Sequence, residues 1–175
     1  KNAKKWVDLF HSKPHMIELD AGLYLRGLHY VLTCLFYLDS KDGFDVYFGH
    51  LKDFEENHSK QFSISTKVLH FTYGRNAELN YNFLHQDFEA NVELEKTIDE
   101  EISNASFSLD SHRAIIFKYK IGWSLFLLER YDEAKSRFSE ILNDDSGKLR
   151  ADTFCYAKIL MLLCHFECAE YLTVQ

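Results

Sequence analysis

Apolar residues recur at helical spacing along most of the chain. From residue 23 to residue 38 they follow one another at intervals of three and four, in a stripe wide enough to be buried on more than one side. The turn sequence at residues 40–43 ends this stretch, and a shorter run with the same spacing continues over residues 44–54. The pattern predicts a long helix followed by a short one.

The same long-then-short pair is predicted three more times. The second pair covers residues 62–83 and 87–102, and the third covers residues 111–128, with Ser111 as its N-cap, and 131–142. A fourth pair begins near Lys148. We therefore expect helical repeats at about 20–60, 62–104, 111–146 and 148–175.

The junction inside each pair contains an aromatic residue followed by an acid. The aromatics are Phe44, Phe88, Tyr131 and Phe166, at intervals of 44, 43 and 35 residues. A ring at the start of the second helix fills the gap where two antiparallel helices diverge, and the acid interacts favourably with the helix dipole. Four such junctions indicate an internal repeat.

The scarcity of turn formers supports the same architecture. The 175 residues include only seven glycines and one proline, Pro14, and 46% of the chain is hydrophobic, which is enough for a sizeable core. The sequence predicts an all-α fold in a single domain, residues 1–175: a right-handed α-solenoid of antiparallel helix pairs with about seven to nine helices.

The third unit, residues 115–148, resembles a tetratricopeptide repeat. The family pattern of small, large and aromatic positions is matched by Gly122, Leu125, Tyr131, Ala134, Phe138, Ile141 and Leu142. In this resemblance Gly122 and Ala134 are the small residues that let the two helices of a pair approach, because a bulky side chain at either place would force them apart.

The resemblance weakens towards the N-terminus. Ala157, Leu160, Phe166 and Ala169 repeat the scheme in the fourth unit. The first two units depart from it, with Leu35 and Leu79 in place of a small residue and Asn91 in place of Ala, which leaves open whether they pack as true tetratricopeptide pairs or as looser hairpins. The whole chain is also similar to uncharacterised tetratricopeptide-like proteins of Bacteroidetes bacteria, through residues 112–119 and 156–166, which implies a segment of a longer solenoid.

Net charge, the length of apolar runs and the cysteines restrict the kinds of partner and the cellular compartment. A formal net charge of −7 disfavours a nucleic-acid surface, which needs excess positive charge. The longest apolar runs are far shorter than the roughly 18 residues of a membrane span. The four cysteines lie among apolar residues in predicted helices, so we expect buried, reduced thiols and a cytoplasmic protein.

In tetratricopeptide arrays the first helices of successive pairs line a concave groove, and the resemblance implies a partner-binding site there. The implied groove residues are Tyr73, Asn76, Asn80, Phe83, Tyr119, Trp123, Phe126, Phe154, Lys158 and Met161. Aromatic rings give contact area and Asn pairs with peptide amides. Two alternatives stay open: Trp123 and Phe126 are core residues, and Asn76 and Asn80 are simply exposed to solvent, which we expect for both amides.

Two other groups of residues could supply metal ligands but do not predict a metal site. Cys164 and Cys168 flank a predicted turn at residues 165–166 and supply too few ligands for a closed zinc site, which needs four. His11 and His15 are four residues apart, but Pro14 interrupts a helix that would align them. We therefore predict no catalytic residue, no metal and no cofactor.

The sequence thus favours a non-catalytic module that binds a protein or peptide, of unidentified kind, in a concave groove. The alternative is a self-associating scaffold or an interior segment of a longer solenoid. A metal-dependent enzyme using scattered histidines and carboxylates is the weakest interpretation, because those residues form no recognisable ligand set.

Overall fold

A computed structural model describes residues 2–104, 109, 111–143 and 151–169. Within these ranges the chain forms nine α-helices and one short 3-10 turn, and no strand. The helices are α1 (Asn2–Ser12), α2 (His15–Leu19), α3 (Ala21–Tyr37), α4 (Lys41–His58), α5 (Ile64–His85), α6 (Phe88–Asn104), α7 (Ser111–Leu127), α8 (Tyr131–Leu142) and α9 (Ala151–Glu167), with the 3-10 turn at Ser59–Gln61. The predicted all-α class is confirmed.

Helices α3 to α8 coincide with the three predicted pairs to within about four residues. The first pair is not long-then-short, because α3 has 17 residues and α4 has 18. We keep the name long helix for the first helix of each pair and for α9. Ser63 caps α5, because its hydroxyl accepts a hydrogen bond from the Thr66 amide, and Asp20 caps α3 in the same way through the Leu23 amide. Ser111, predicted as the N-cap of α7, is instead the first helical residue. The predicted start of the fourth pair at Lys148 lies outside the described residues.

Contacts divide the chain into two compact units, Lys1–Gln86 and Asp87–Gln175. In the first unit, α3 packs against α1, α4 and α5, and α4 also packs against α5. The core between them is rich in aromatic and leucine side chains: Val7, Phe10, Tyr24, Leu25, Leu28, Val31, Leu32, Leu35, Phe44, Phe48, Leu51, Phe54, Ala77 and Leu84.

The second unit repeats this local arrangement. Helix α7 packs against α6 and α8, and α9 packs against both α7 and α8. In each unit a long helix therefore contacts the second helix of its own pair and the next long helix along the chain. The buried apolar side chains of α7 and α8 include Ile115, Phe117, Ile121, Leu125, Phe138 and Ile141.

The small residues predicted from the family resemblance lie at close helix contacts. A Cβ placed on Gly122 would be 2.7 Å from Cε1 of Phe138, and Ala134 and Ala157 are completely buried. Asn91 is the fourth residue of α6, as Ala134 is of α8, and it is also completely buried. Its side-chain amide donates a hydrogen bond of 3.0 Å to the Ser124 hydroxyl of α7, which explains how a polar residue replaces alanine there.

The four long helices α3, α5, α7 and α9 end in the same way. Each is followed closely by a residue in the left-handed conformation: Asp39 with φ 50°, Gln86 with φ 59°, Glu129 with φ 60° and Ala169 with φ 57°. The chain therefore turns at intervals of 47, 43 and 40 residues. This shared turn gives an internal alignment that does not depend on side-chain type.

That alignment corrects the predicted fourth junction. Helix α9 continues through His165 and Phe166 to Glu167, so neither residue lies in a turn. Ala169 is the left-handed turn residue and matches Glu129, and it does not match Ala134 of the second helix. The prediction was wrong because an aromatic–acid pair also occurs inside α9, where no helix begins.

The expected burial of the cysteines is only partly correct. All four are free thiols, but Cys34 and Cys155 are exposed, whereas Cys164 is buried and Cys168 is half-buried. Both exposed thiols lie on helices, α3 and α9, in which apolar residues occur on more than one face. Apolar neighbours in the sequence therefore did not guarantee that these cysteines are buried. Among the described helices, none has the length and apolar character needed to cross a membrane.

Candidate functional site

The predicted groove residues of the first unit lie on α5, on the side that meets α3. The ring of Tyr73 stacks on the imidazole of His29 in α3, with centroids 4.1 Å apart and planes 9° from parallel. Tyr73 and Asn76 are both half-buried and keep part of their surface in solvent.

Asn80 and Phe83 are core residues. Asn80 is only 3% exposed, so the expectation that it is simply solvated is wrong. The ring of Phe83 is also buried and meets Phe36 of α3, with centroids 6.4 Å apart. Both residues are on the α5 surface that packs against α3. Helical spacing along α5 alone does not show where this buried surface ends and the exposed surface begins.

The most exposed aromatic side chains of the first unit, Tyr30 and Tyr37, lie outside the predicted groove. Arg26, Tyr30, Thr33 and Tyr37 are spaced by four, three and four residues along α3, and we call them the α3 face. Tyr30 is 50% exposed and Tyr37 is 81% exposed. A signal was present in the sequence, since two tyrosines and an arginine at helical spacing interrupt an otherwise apolar helix.

Ring contacts connect the α3 face to its neighbours. Trp6 of α1 lies 6.0 Å from Tyr30 between ring centroids, and His29 lies 5.7 Å from Tyr30. Because His29 also stacks on Tyr73, a continuous row of rings crosses α1, α3 and α5. Such contacts restrict side-chain rotamers, so the row presents tyrosine and indole surface at a reduced entropic cost of binding.

In the second unit, Tyr119, Trp123 and Phe126 lie on α7 and are all half-buried. The ring of Tyr119 contacts that of Phe138 in α8, with centroids 6.5 Å apart. The ring of Phe126 contacts that of Tyr131, also in α8, with centroids 5.7 Å apart. Trp123 contacts Tyr119 along the same helix at 6.2 Å. Tyr119 and Phe126 therefore contribute to the α7–α8 contact, and all three rings keep part of their surface in solvent.

The remaining predicted groove residues lie on α9. Lys158 is exposed, and its ammonium lies 5.3 Å from the centroid of the Phe154 ring, a cation–π distance. Phe154 and Met161 are half-buried. On α9 the exposed surface extends well beyond these three residues.

An ion-pair network joins α6, α7 and α8. Arg137 of α8 binds Glu95 of α6 with Nε to Oε1 at 2.8 Å, and Glu140 lies between Arg137 and Lys118 of α7 at 2.7 and 2.9 Å. Burial raises the pKa of Glu95 despite its bond to Arg137. Burial also opposes ionisation of Glu140, but hydrogen bonds from Lys118 and Arg137 lower its pKa overall. The cations of this network thus pair with carboxylates of the same unit, and these ion pairs connect α6, α7 and α8.

Two groups show perturbed protonation without a surrounding reactive site. Burial lowers the pKa of Lys120 on α7 to about 7, and burial raises the pKa of the Cys164 thiol to about 11. A thiol with a raised pKa is a poor nucleophile at neutral pH. The raised pKa therefore argues against Cys164 as a nucleophile.

A histidine–tyrosine cluster joins α1, α3 and α4 in the first unit. His11 Nε2 lies 3.0 Å from the Tyr24 hydroxyl, and the His11 and His50 rings meet edge to face at 4.7 Å. Burial, followed by the charge of His50, lowers the pKa of His11, and Asp8 opposes the change. Burial raises the pKa of Tyr24 to about 12. In the part of the chain that the structure describes, no three His, Cys, Asp or Glu side chains are placed to hold a metal ion.

Comparisons with known proteins leave the family open. No protein-family model, curated protein or solved structure significantly matches this chain. The resemblance to tetratricopeptide repeats therefore stays a prediction, and the functional argument depends on the exposed side chains themselves.

Proposed function

We propose that this chain is a non-catalytic, cytoplasmic interaction module, a right-handed solenoid of antiparallel helix pairs that binds a peptide or a partner helix on the exposed faces of its long helices. The α3 face carries the proposal. Tyrosine is the side chain best suited to such a surface, because its ring supplies apolar contact area and its hydroxyl pairs with a backbone amide. Arg26 adds a donor fork for a carboxylate or a carbonyl.

The packing of each unit supports the solenoid. A long helix contacts the second helix of its pair and the next long helix in both units, and all four long helices end at a left-handed residue. Repeated contacts of this kind are the basis of helical-repeat proteins, in which each repeat contacts only its neighbours. Within the first unit, Tyr73 of α5 continues the row of rings that begins at the α3 face.

In this proposal the chain binds its partner through matching shape and hydrogen-bonding groups, and no covalent bond forms. Tyr30 and Tyr37 are seven residues apart, about 10.5 Å along the helix axis at 1.5 Å per residue. That spacing is close to two side chains three residues apart on one face of a polyproline II peptide, about 9.3 Å, or to two turns of a partner helix. The partner is expected to carry apolar side chains at that interval and an acidic group near Arg26.

The test is affinity capture from a native lysate with the wild-type chain, a Tyr30→Ala/Tyr37→Ala variant and a matched control, Val46→Ala/Ile64→Ala. Val46 and Ile64 are 57% and 65% exposed, on α4 and α5, so the control removes comparable apolar surface elsewhere. All three proteins must show equal helicity by circular dichroism. Captured proteins are then purified and their affinities measured by calorimetry.

We expect a partner that binds the wild type and the control and loses at least tenfold in affinity for the tyrosine variant, since interface tyrosines commonly contribute more than 1.4 kcal/mol. Equal binding by all three proteins would show that the α3 face is not used. Capture of the chain's own copies alone would replace the proposal by a self-associating scaffold.

A further inference from the structure

A concavity lies between the first turns of α3 and α5 in the first unit, and we call it the α3–α5 cavity. Its volume is about 520 Å³, which is within the range of small-molecule sites, roughly 300–1,000 Å³. The two helices are in contact at its floor, where a Cβ built on Gly22 would lie 3.5 Å from Cδ1 of Leu69. The side chains that line it include Glu18, Asp20, Leu23, Arg26, Ser65 and Thr66.

Charges of both signs line the α3–α5 cavity. Arg26 contributes a guanidinium from α3, and Glu18 and Asp20 contribute carboxylates from α2 and from the cap of α3. In the part of the chain that the structure describes, Arg26 and Glu18 make no hydrogen bond or ion pair. Asp20 uses Oδ1 to accept the Leu23 amide, so its second oxygen can still accept a hydrogen bond from a ligand.

The α5 side of the cavity is neutral and already organised. The Ser63 hydroxyl oxygen lies 2.9 Å from that of Ser65 and 2.8 Å from that of Thr66, and it also accepts the Thr66 amide. These bonds hold the three hydroxyls in place. Because this side adds no charge, the charged groups of α2 and α3 decide which ligands are attracted.

Exposed leucines form an apolar part of the cavity wall. Leu19 is 81% exposed and Leu23 is 36% exposed, and both line the concavity beside the charged groups. A ligand that covers these side chains removes apolar surface from water, which favours binding. A ligand without an apolar group leaves this surface unused.

The lining therefore selects a ligand with three features. A guanidinium binds a carboxylate with two parallel hydrogen bonds, carboxylates bind an ammonium, and leucines bind an aliphatic group. A simple anion fits poorly because Glu18 and Asp20 repel it, and a simple cation fits poorly because Arg26 repels it. An α-amino acid with an aliphatic side chain carries all three features in one small molecule.

We propose that the α3–α5 cavity binds a free α-amino acid with an aliphatic side chain, such as leucine. The ligand's carboxylate binds Arg26, its ammonium binds Glu18 and Asp20, and its side chain covers the exposed leucines. The cavity shares Arg26 with the α3 face. The inference does not depend on the proposed peptide-binding function, because the tyrosines of that face take no part in it.

The probe is L-leucine, titrated at pH 7 into the isotope-labelled full chain and followed by two-dimensional amide NMR. Three analogues each lack one feature: isocaproic acid lacks the ammonium, isopentylamine lacks the carboxylate and glycine lacks the side chain. The cavity variants are Arg26→Gln and the double variant Glu18→Gln/Asp20→Asn, in which asparagine still caps α3. Lys41→Gln and Glu56→Gln, both exposed on α4, are the charge-matched controls. Circular dichroism checks that every variant keeps its helices.

We expect L-leucine to shift the amide resonances of residues that line the cavity, Gly22, Leu23, Ser65 and Thr66 among them. The dissociation constant should be about 1 mM or lower, a typical value for so small a ligand. Each analogue should bind at least about threefold more weakly, because it loses one partly exposed ion pair or the apolar contact.

The variants should separate the two charged contacts. Arg26→Gln should weaken leucine binding about threefold to tenfold and should not weaken isopentylamine, which has no carboxylate. Glu18→Gln/Asp20→Asn should weaken leucine by a similar factor and should not weaken isocaproic acid, which has no ammonium. The two control variants and Tyr30→Ala/Tyr37→Ala should bind leucine as the wild type does.

Three results would overturn the proposal. One is the absence of amide shifts at about 20 mM leucine, about twentyfold above the expected dissociation constant. Another is equal affinity of the wild type for leucine and its three analogues. The third is leucine binding that neither cavity variant weakens, because leucine would then occupy a different part of the chain.

Discussion

Gly122 is the closest point of the contact between α7 and α8. A Cβ there would lie 2.7 Å from Cε1 of Phe138, and the ring cannot move away freely because it is completely buried. We expect Gly122→Ala to lower the free energy of unfolding by about 1–3 kcal/mol, the usual cost of overpacking, despite the better helix propensity of alanine. Urea denaturation of the purified chain measures this change.

Gly49 on α4 provides the matched control for that substitution. A Cβ built on it meets no atom within 4 Å, so Gly49→Ala should increase stability by about 0.5–1 kcal/mol through helix propensity alone. Adding Phe138→Leu to Gly122→Ala should recover part of the loss, because the smaller side chain relieves the contact. Equal effects of the two glycine substitutions would contradict the packing argument.

Single residues show clearly what the sequence can predict. Gly122 is correctly predicted at a close helix contact, and Ala134, the other small residue of the pattern, is completely buried. Asn80 is incorrectly predicted as exposed, since a polar side chain in a helix has two acceptable environments, solvent and a hydrogen-bonded interior. Asn91 shows the second environment directly, through its bond to Ser124. Only the neighbouring helix decides between them.

At the scale of the helix, the ends of α9 show where sequence patterns fail. The helix continues past Phe166 although an aromatic–acid pair at that point suggests a junction. The turn at Ala169 depends on backbone conformation and contains no glycine, so composition gives no warning of it. Helices α3 to α8 were predicted well because their long apolar periodicity and polar junctions agree.

Helix α7 contains a lysine whose protonation affects stability. Burial lowers the folded pKa of Lys120 to about 7, below its ordinary value of 10.5. The unfolded chain therefore binds more protons between these two values, and stability must rise with pH over that window. We expect the free energy of unfolding of the second unit to increase by up to about 1.4 kcal/mol per pH unit from pH 7.5 to 8.5.

Lys120→Met is the test of this dependence, with urea unfolding at half-unit pH steps. The variant should lose the slope in that interval and keep its helical signal. Above pH 9 the variant should lose stability, because burial raises the pKa of the Cys164 thiol to about 11 and ionisation is then more favourable in the unfolded chain. In the wild type this effect opposes that of Lys120, so its stability should level off there. An unchanged slope in Lys120→Met would assign the dependence to another group.

His11, at the contact of α1 with α3, should make the stability of the first unit sensitive to acid. His11 lies 3.0 Å from the Tyr24 hydroxyl, and burial, followed by the charge of His50, lowers its pKa. A lowered histidine pKa means that the unfolded chain takes up the proton first, so stability is full above pH 6.5 and falls as the pH drops below it. We expect the midpoint of acid unfolding of the first unit to move to lower pH in His11→Gln.

His15→Gln is the control for the acid experiment. His15 lies on α2 of the same unit and is exposed, as His11 is, so replacing it should leave the midpoint unchanged if the Tyr24 contact of His11 is the cause. Tryptophan fluorescence of Trp6, which contacts Tyr30, reports the transition. An equal displacement in both variants would point to net charge as the cause instead of the His11–Tyr24 contact.

At the scale of the whole chain, the sequence predicts helices more reliably than surfaces. Periodicity along each helix depends on local spacing, so the all-α class follows from the sequence. The α3 face was missed, and Phe83 was assigned to the groove although it is buried, because exposure depends on which side of a long helix its neighbours cover. That information is absent from any helix considered alone.

The first unit has a core of its own and should fold without the second. Fourteen buried hydrophobic residues form one continuous cluster within residues 1–86, and α3 contacts four helices of that unit, α1, α2, α4 and α5. We expect the fragment of residues 1–86 to keep its helical circular dichroism and to unfold cooperatively in urea, with a free energy of about 4 kcal/mol or more. Phe44→Ala, at a completely buried ring, should remove about 3–5 kcal/mol and unfold the fragment. A fragment that shows neither helicity nor a cooperative transition would mean that this core is insufficient and that the helices of the first unit need the rest of the chain.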